Sequence, residues 1–115
     1  MNLIIKFLIV ISLAISSTVF AHVHLEKSVP ADSAMLMKAP EALSLTFSKE
    51  VRVVKVSLRN NQGDKINFGF KPVKAASKQF SWQLPKMAPA SYTVNITFLG
   101  KDGHKMKDSF GFMVH

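Results

Sequence analysis

Apolar and polar residues alternate along much of the chain, and this alternation restricts the fold more than any other feature. The clearest run is residues 92–98, YTVNITF, in which every second residue is apolar. A period of two is typical of a β-strand with one buried face. Comparable runs, bounded by Pro, Gly or Asn, occupy residues 24–29, 43–48, 51–58, 66–70, 80–84 and 110–114. About seven short strands predict an all-β chain that forms an antiparallel sandwich or a Greek-key barrel.

Turn-forming residues separate these runs. Residues 30–33 (PADS) and 60–64 (NNQGD) combine Pro, Gly, Asn and Asp, which favour turns through fixed or positive φ angles and local hydrogen bonds. Residues 100–104 (GKDGH) predict a loop between the last two strands. Tyr92 follows Ala88 and Pro89 near the start of a strand, so we expect its hydroxyl to bond back to upstream backbone, as in a tyrosine corner.

The first 21 residues have the pattern of a Sec-type signal peptide. Lys6 supplies a weak positive n-region, residues 7–14 form a mainly apolar core, and residues 19–21 (VFA) place alanine at a cleavage position. The alternative is an uncleaved anchor, but the polar residues 16–18 (SST) leave the apolar stretch short of the ~20 residues that span a bilayer. The pattern predicts export to the periplasm and cleavage after Ala21, with residues 22–115 forming one domain.

Composition excludes several kinds of site. The chain has no cysteine, so neither disulfides nor thiolate ligands are available. It contains no Gly-x-Ser-x-Gly nucleophile motif and no Gly-rich phosphate loop. The net charge is +8, but the lysines are scattered. This distribution favours a solvated surface over nucleic-acid binding, with attraction to anionic cell-surface polymers as an alternative.

The histidines offer the strongest indication of chemistry. After cleavage, His22 would provide both a free α-amine and an imidazole Nδ1, which together can chelate one metal ion. An α-amine loses its proton more easily than a lysine does. If the loop at 100–104 lies beside the N-terminus, His104 adds a third nitrogen and Asp102 an oxygen. Three nitrogens and one oxygen in tetragonal geometry suit Cu(II).

A second arrangement uses only the N-terminus. In His22-Val23-His24, the amine, two deprotonated amides and the His24 imidazole could wrap Cu(II) in a plane. Strand pairing would withdraw those amides, so we favour the first arrangement, with His24 nearby or incidental. His115 is expected to be exposed to solvent.

Read in order, His22, SVPADSA, LSLTFS, MAPASYTVN and DGH followed by FGFMV resemble the CopC-type periplasmic copper-resistance proteins. The resemblance covers essentially all of residues 22–115. It implies an immunoglobulin-like Greek-key β-sandwich and a Cu(II) site formed by His22, Asp102 and His104, with one copper per chain.

Two features depart from this family. Some members carry a Met-rich loop that binds Cu(I), but residues 69–79 (GFKPVKAASKQ) contain neither Met nor His. Some members also have a Glu directly after the Phe-Ser of the second strand region. Lys49 occupies that position here and Glu50 follows, so no Glu ligand is carried over. Met35 and Met37 are interpreted as packing or surface residues.

The leading functional hypothesis is a monomeric periplasmic protein, not an enzyme, that sequesters or carries Cu(II) and exchanges it with a membrane copper transporter. Lys101, Lys105 and Lys107 flank the predicted site and could help a negatively charged partner to dock. Two alternatives are a small copper-dependent oxidative enzyme with a histidine brace and a metal-free sandwich module for adhesion.

Overall fold

The alternating sequence folds into β-strands throughout. A computed structural model of the chain describes residues 22–115, and within that range it contains six strands and no helix. The strands are β1 (Leu25–Val29), β2 (Ala34–Leu36), β3 (Ala42–Asn60), β4 (Ser77–Gln83), β5 (Ala90–Leu99) and β6 (Lys105–Val114). The predicted signal peptide and its cleavage site lie outside the described residues. No helix in residues 22–115 is long and apolar enough to cross a membrane.

The long strand β3 joins the two layers of the fold. Its first half pairs antiparallel with β1 and β4, and its second half pairs antiparallel with β5. Strand β6 follows β5, and β2 lies parallel to β6 at the edge. The register of β3 shifts between Thr46 and Val51 on the β4 side and between Val53 and Lys55 on the β5 side. Such irregularities bend and twist a strand, so one sheet curls into a sandwich.

The described residues form six strands, whereas about seven antiparallel strands were predicted. The strands expected at 43–48 and 51–58 are one continuous strand, because the intervening Lys49 and Glu50 are not turn formers. Residues 66–70 are not a strand, although Arg59 and Lys65 form one isolated bridge. Their apolar side chains instead cover the edge of the core from an extended segment. The alternation in residues 66–70 therefore correctly indicated which side chains face the core, but it wrongly predicted a strand.

The core lies between the two layers. Phe47, from the first half of β3, is 1% exposed, and its ring centroid lies 4.7 Å from that of Phe98 on β5. The same ring meets Phe80 of β4 edge-on at 5.9 Å. Phe47 thus connects strands of both layers, in an arrangement that aromatic pairs favour. The predicted all-β sandwich is confirmed, and its one parallel pair among the described strands is β2 with β6.

The predicted tyrosine corner is also confirmed. Tyr92 is buried, and its hydroxyl donates a hydrogen bond to the carbonyl oxygen of Ala88. We expect Tyr92→Phe to reduce the free energy of unfolding by about 0.5–1.5 kcal/mol, the usual net contribution of one hydrogen bond, since Ala88 is an exposed residue to which water has access. Urea unfolding measures this loss. An unchanged midpoint would show that the corner contributes no stability.

Candidate metal centre

An open pocket lies where the N-terminal segment meets the loop between β5 and β6. Its volume is about 1260 Å³. Residues 22–24 line one side, residues 49–50 of β3 lie nearby, and the loop and the start of β6 complete it. The ionisable side chains that line the pocket are His22, His24, Lys49, Glu50, Lys78, Lys101, Asp102, His104, Lys107 and Asp108. The pocket therefore brings together residues that are far apart in the sequence.

The loop is a tight five-residue connection that fixes Asp102 relative to His104. Leu99 pairs with Lys105 at its base, and the Gly100 N–H donates to the His104 carbonyl oxygen at 3.1 Å. Gly103 has a φ of 79°, which favours glycine. The His104 N–H donates to Asp102 Oδ1 at 3.0 Å. This bond uses one carboxylate oxygen, so the other oxygen can serve as a ligand.

The N-terminal segment is held to β3 before β1 begins. The Ser48 N–H donates to the His24 carbonyl oxygen at 3.0 Å, and the His24 N–H donates to Ser48 Oγ at 3.1 Å. The first strand was expected at residues 24–29 and extends from Leu25 to Val29, with an irregularity in its pairing with β3 between Leu25 and Lys27. The amide-wrapping arrangement needs the His24 amide nitrogen, so it would have to break the bond to Ser48.

The three predicted ligands share one pocket, but their side chains do not converge on a point. His22, Asp102 and His104 all line the pocket and are exposed. Within residues 22–115, no three side chains of His, Asp or Glu come close enough to hold a metal ion. In the uncut chain the His22 nitrogen belongs to a peptide bond, so one of the four predicted donors is absent. His115 does not line this pocket.

Two carboxylates beside the pocket were not predicted. Glu50 was set aside because it lies one position after the family's glutamate, yet it lines the pocket, as does Asp108 of β6. Lys49 and Glu50 are both exposed, since β3 has no pairs with β4 between Thr46 and Val51. The alternation of the sequence gives no sign of this irregularity, so Glu50 could not have been recognised from the pattern alone.

Lysines surround the carboxylates. Lys101 Nζ lies 4.0 Å from Glu50 Oε2, and both side chains are more than half exposed. An exposed pair of this kind contributes little to stability. Lys49, Lys78 and Lys107 also line the pocket. Because these long side chains remain solvated, the region is basic but open to an approaching ion or protein.

Comparison with known proteins identifies relatives for nearly all of the described chain. A family model described as "CopC domain" matches residues 25–115. Protein YobA of Escherichia coli K12 is 31% identical over 105 residues, which cover 87% of this chain and 84% of that protein. Protein YobA of Shigella flexneri matches to the same extent.

Two solved structures share the fold. CopC from Methylosinus trichosporium OB3b has a TM-score of 0.69 and 23% identity, and the match covers 81% of this chain and 93% of that one. PcoC, a methionine-rich copper resistance protein from Escherichia coli, has a TM-score of 0.62 and 19% identity, covering 83% of this chain and 100% of that one. Both support the two-layered β architecture.

Proposed function

Because the chain belongs to the CopC domain family, we propose that it is an exported protein that binds one Cu(II) ion and sequesters or carries it in the periplasm. The main support is the shared pocket. His22 on one side and Asp102 and His104 on the other line it, although they are far apart in sequence. The structural neighbour PcoC, a copper resistance protein, is consistent with this role.

In this proposal, cleavage after Ala21 completes the donor set. The new α-amine and the Nδ1 of His22 chelate the ion, the His104 imidazole adds a third nitrogen, and Asp102 adds an oxygen. Nitrogen and oxygen donors in a tetragonal set suit Cu(II). The Asp102 charge partly offsets that of the cation. All three side chains are exposed, so they can move together once the amine exists.

The same features favour a carrier over an enzyme. A carboxylate in the donor set stabilises Cu(II) relative to reduced copper, which opposes redox cycling. The pocket is open, so a partner protein can reach the ion. Lys101 and Lys107, which line the pocket, would attract a negatively charged docking surface, and a membrane copper transporter is the partner we propose.

Thermal unfolding with and without Cu(II) tests the proposal. A ligand present at one hundred times its Kd stabilises the folded state by about 2.7 kcal/mol, which raises Tm by roughly 10–20 °C in a small domain. We expect this rise in the mature protein and a clearly smaller rise in His104→Ala, which keeps the His22 chelate but lacks one nitrogen ligand. His115→Ala is the matched control, because it removes an exposed histidine that does not line the pocket. No rise in the unmodified protein would favour a metal-free binding module.

A further inference from the structure

Three methionines and a histidine share the outer face of the edge formed by β2 and β6. The parallel pairing sets Met35 opposite Met113. The His115 N–H donates to the Leu36 carbonyl oxygen at 2.9 Å, so the pairing continues and brings His115 beside Met37. Side chains alternate between the faces of a strand, so Met35 and Met113 project to the same side, and Met37 and His115 each lie one residue beyond the end of their strand.

That side faces solvent. The intervening residues of β6, Phe112 and Val114, are 3% and 4% exposed and belong to the core. Met35 and Met37 are 72% and 82% exposed, while Met113 is half-buried and is not part of the core cluster. Packing thus does not explain the two exposed methionines, contrary to one of the interpretations offered from sequence.

The spacing allows the four side chains to meet. Neighbouring strands are about 4.8 Å apart, and residues two positions apart on one strand are separated by about 6.6 Å. The four Cα atoms therefore lie near the corners of a small rectangle. Methionine has three rotatable side-chain bonds, so its sulfur can move toward a common centre.

We propose that Met35, Met37, Met113 and His115 form a binding site for Cu(I). Thioether sulfur is a soft ligand that selects Cu(I), and imidazole is a compatible neighbour. The segment at 69–79, where a Met-rich loop would be expected from the resemblance, has no methionine and plays no part.

The site is independent of the Cu(II) centre proposed above. From His104 to Met113, β6 extends about 30 Å at ~3.3 Å per residue. The two sites therefore share no ligand, and each can be occupied or removed without the other. The donors also differ in kind, because the Cu(II) centre uses nitrogen and oxygen whereas this one uses mainly sulfur.

Methyl NMR with Ag(I), a redox-inert substitute for Cu(I), tests the site directly. In protein labelled with ¹³C at the methionine methyl groups, Ag(I) should shift the signals of Met35, Met37 and Met113 together. Met87, which is 6% exposed and does not line the pocket of the Cu(II) centre, serves as the internal control and should not move. If Met37, which follows β2, and Met113 of β6 do not respond together, the proposal is wrong.

Substitution provides the second arm. The triple variant Met35→Leu, Met37→Leu and Met113→Leu preserves side-chain volume and should fold normally. It should lose Cu(I) to a coloured chelator at a concentration that leaves Cu(I) bound to the unmodified protein and to the control variant Met87→Leu. Equal resistance in the triple variant would overturn the proposal. Cu(II) should raise the Tm of the triple variant as much as that of the unmodified protein. The Cu(I) proposal and the Cu(II) proposal can therefore be rejected separately.

Discussion

A protein with one extra residue in front of His22 is expected to lose most of its affinity for Cu(II). The addition converts the proposed amine ligand into a peptide nitrogen and opens the chelate ring formed with the His22 imidazole. Losing a group that only orients a metal ligand costs roughly 10–100-fold in affinity, and losing a ligand itself should cost more. Competition against a chelator of known copper affinity measures the change.

The control for this experiment keeps the native terminus and removes the neighbouring ring. His24→Ala retains the amine and the His22 imidazole, so its copper affinity should stay close to that of the unmodified protein. A large loss in His24→Ala would instead favour the amide-wrapping arrangement. Unchanged affinity in the extended protein would contradict amine ligation. Because residues 22–115 are the same in the extended protein, its Tm without copper should be unchanged.

The largest effect on stability is expected for Phe47→Ala. Phe47 is 1% exposed, and its ring packs against Phe98 and Phe80. Truncation of a buried aromatic side chain lowers the free energy of unfolding by about 3–5 kcal/mol. Small domains have only about 5–15 kcal/mol in total, so much of the stability should be lost. Urea unfolding measures the change.

Phe70→Ala is the matched control for this prediction. Phe70 lies on the extended segment after β3 and is only partly buried. Its ring centroid lies 5.6 Å from that of Trp82 on β4. We expect a clearly smaller loss, because water and neighbouring side chains can occupy the space more easily. Similar losses in the two variants would show that Phe47 does not have the bridging role assigned to it.

The fold was largely predictable where burial alternates regularly. Residues 92–98 were predicted as a strand, and β5 extends from Ala90 to Leu99 with alternate residues buried. The same pattern gave a wrong strand prediction at residues 66–70, because a segment can bury every second side chain without pairing regularly with a neighbouring strand. Strand β2 was missed, since three residues are too few to establish a period.

The candidate sites depend on long-range pairing, which local patterns do not contain. The family resemblance suggested that residues 22 and 104 share a site, whereas the positions of Glu50 and Asp108 followed only from the structure. Met35 and Met113 are likewise adjacent through the register of β2 with β6. Nothing in the residues around either methionine encodes that register.

Electron paramagnetic resonance of the copper-loaded, exported protein tests the central claim most directly, once its intact mass has established the cut after Ala21. Nitrogen superhyperfine coupling counts the nitrogen atoms bound to Cu(II). Our proposal predicts three nitrogens and one oxygen, with one nitrogen lost in His104→Ala. A spectrum with four nitrogens that His104→Ala leaves unchanged would contradict it.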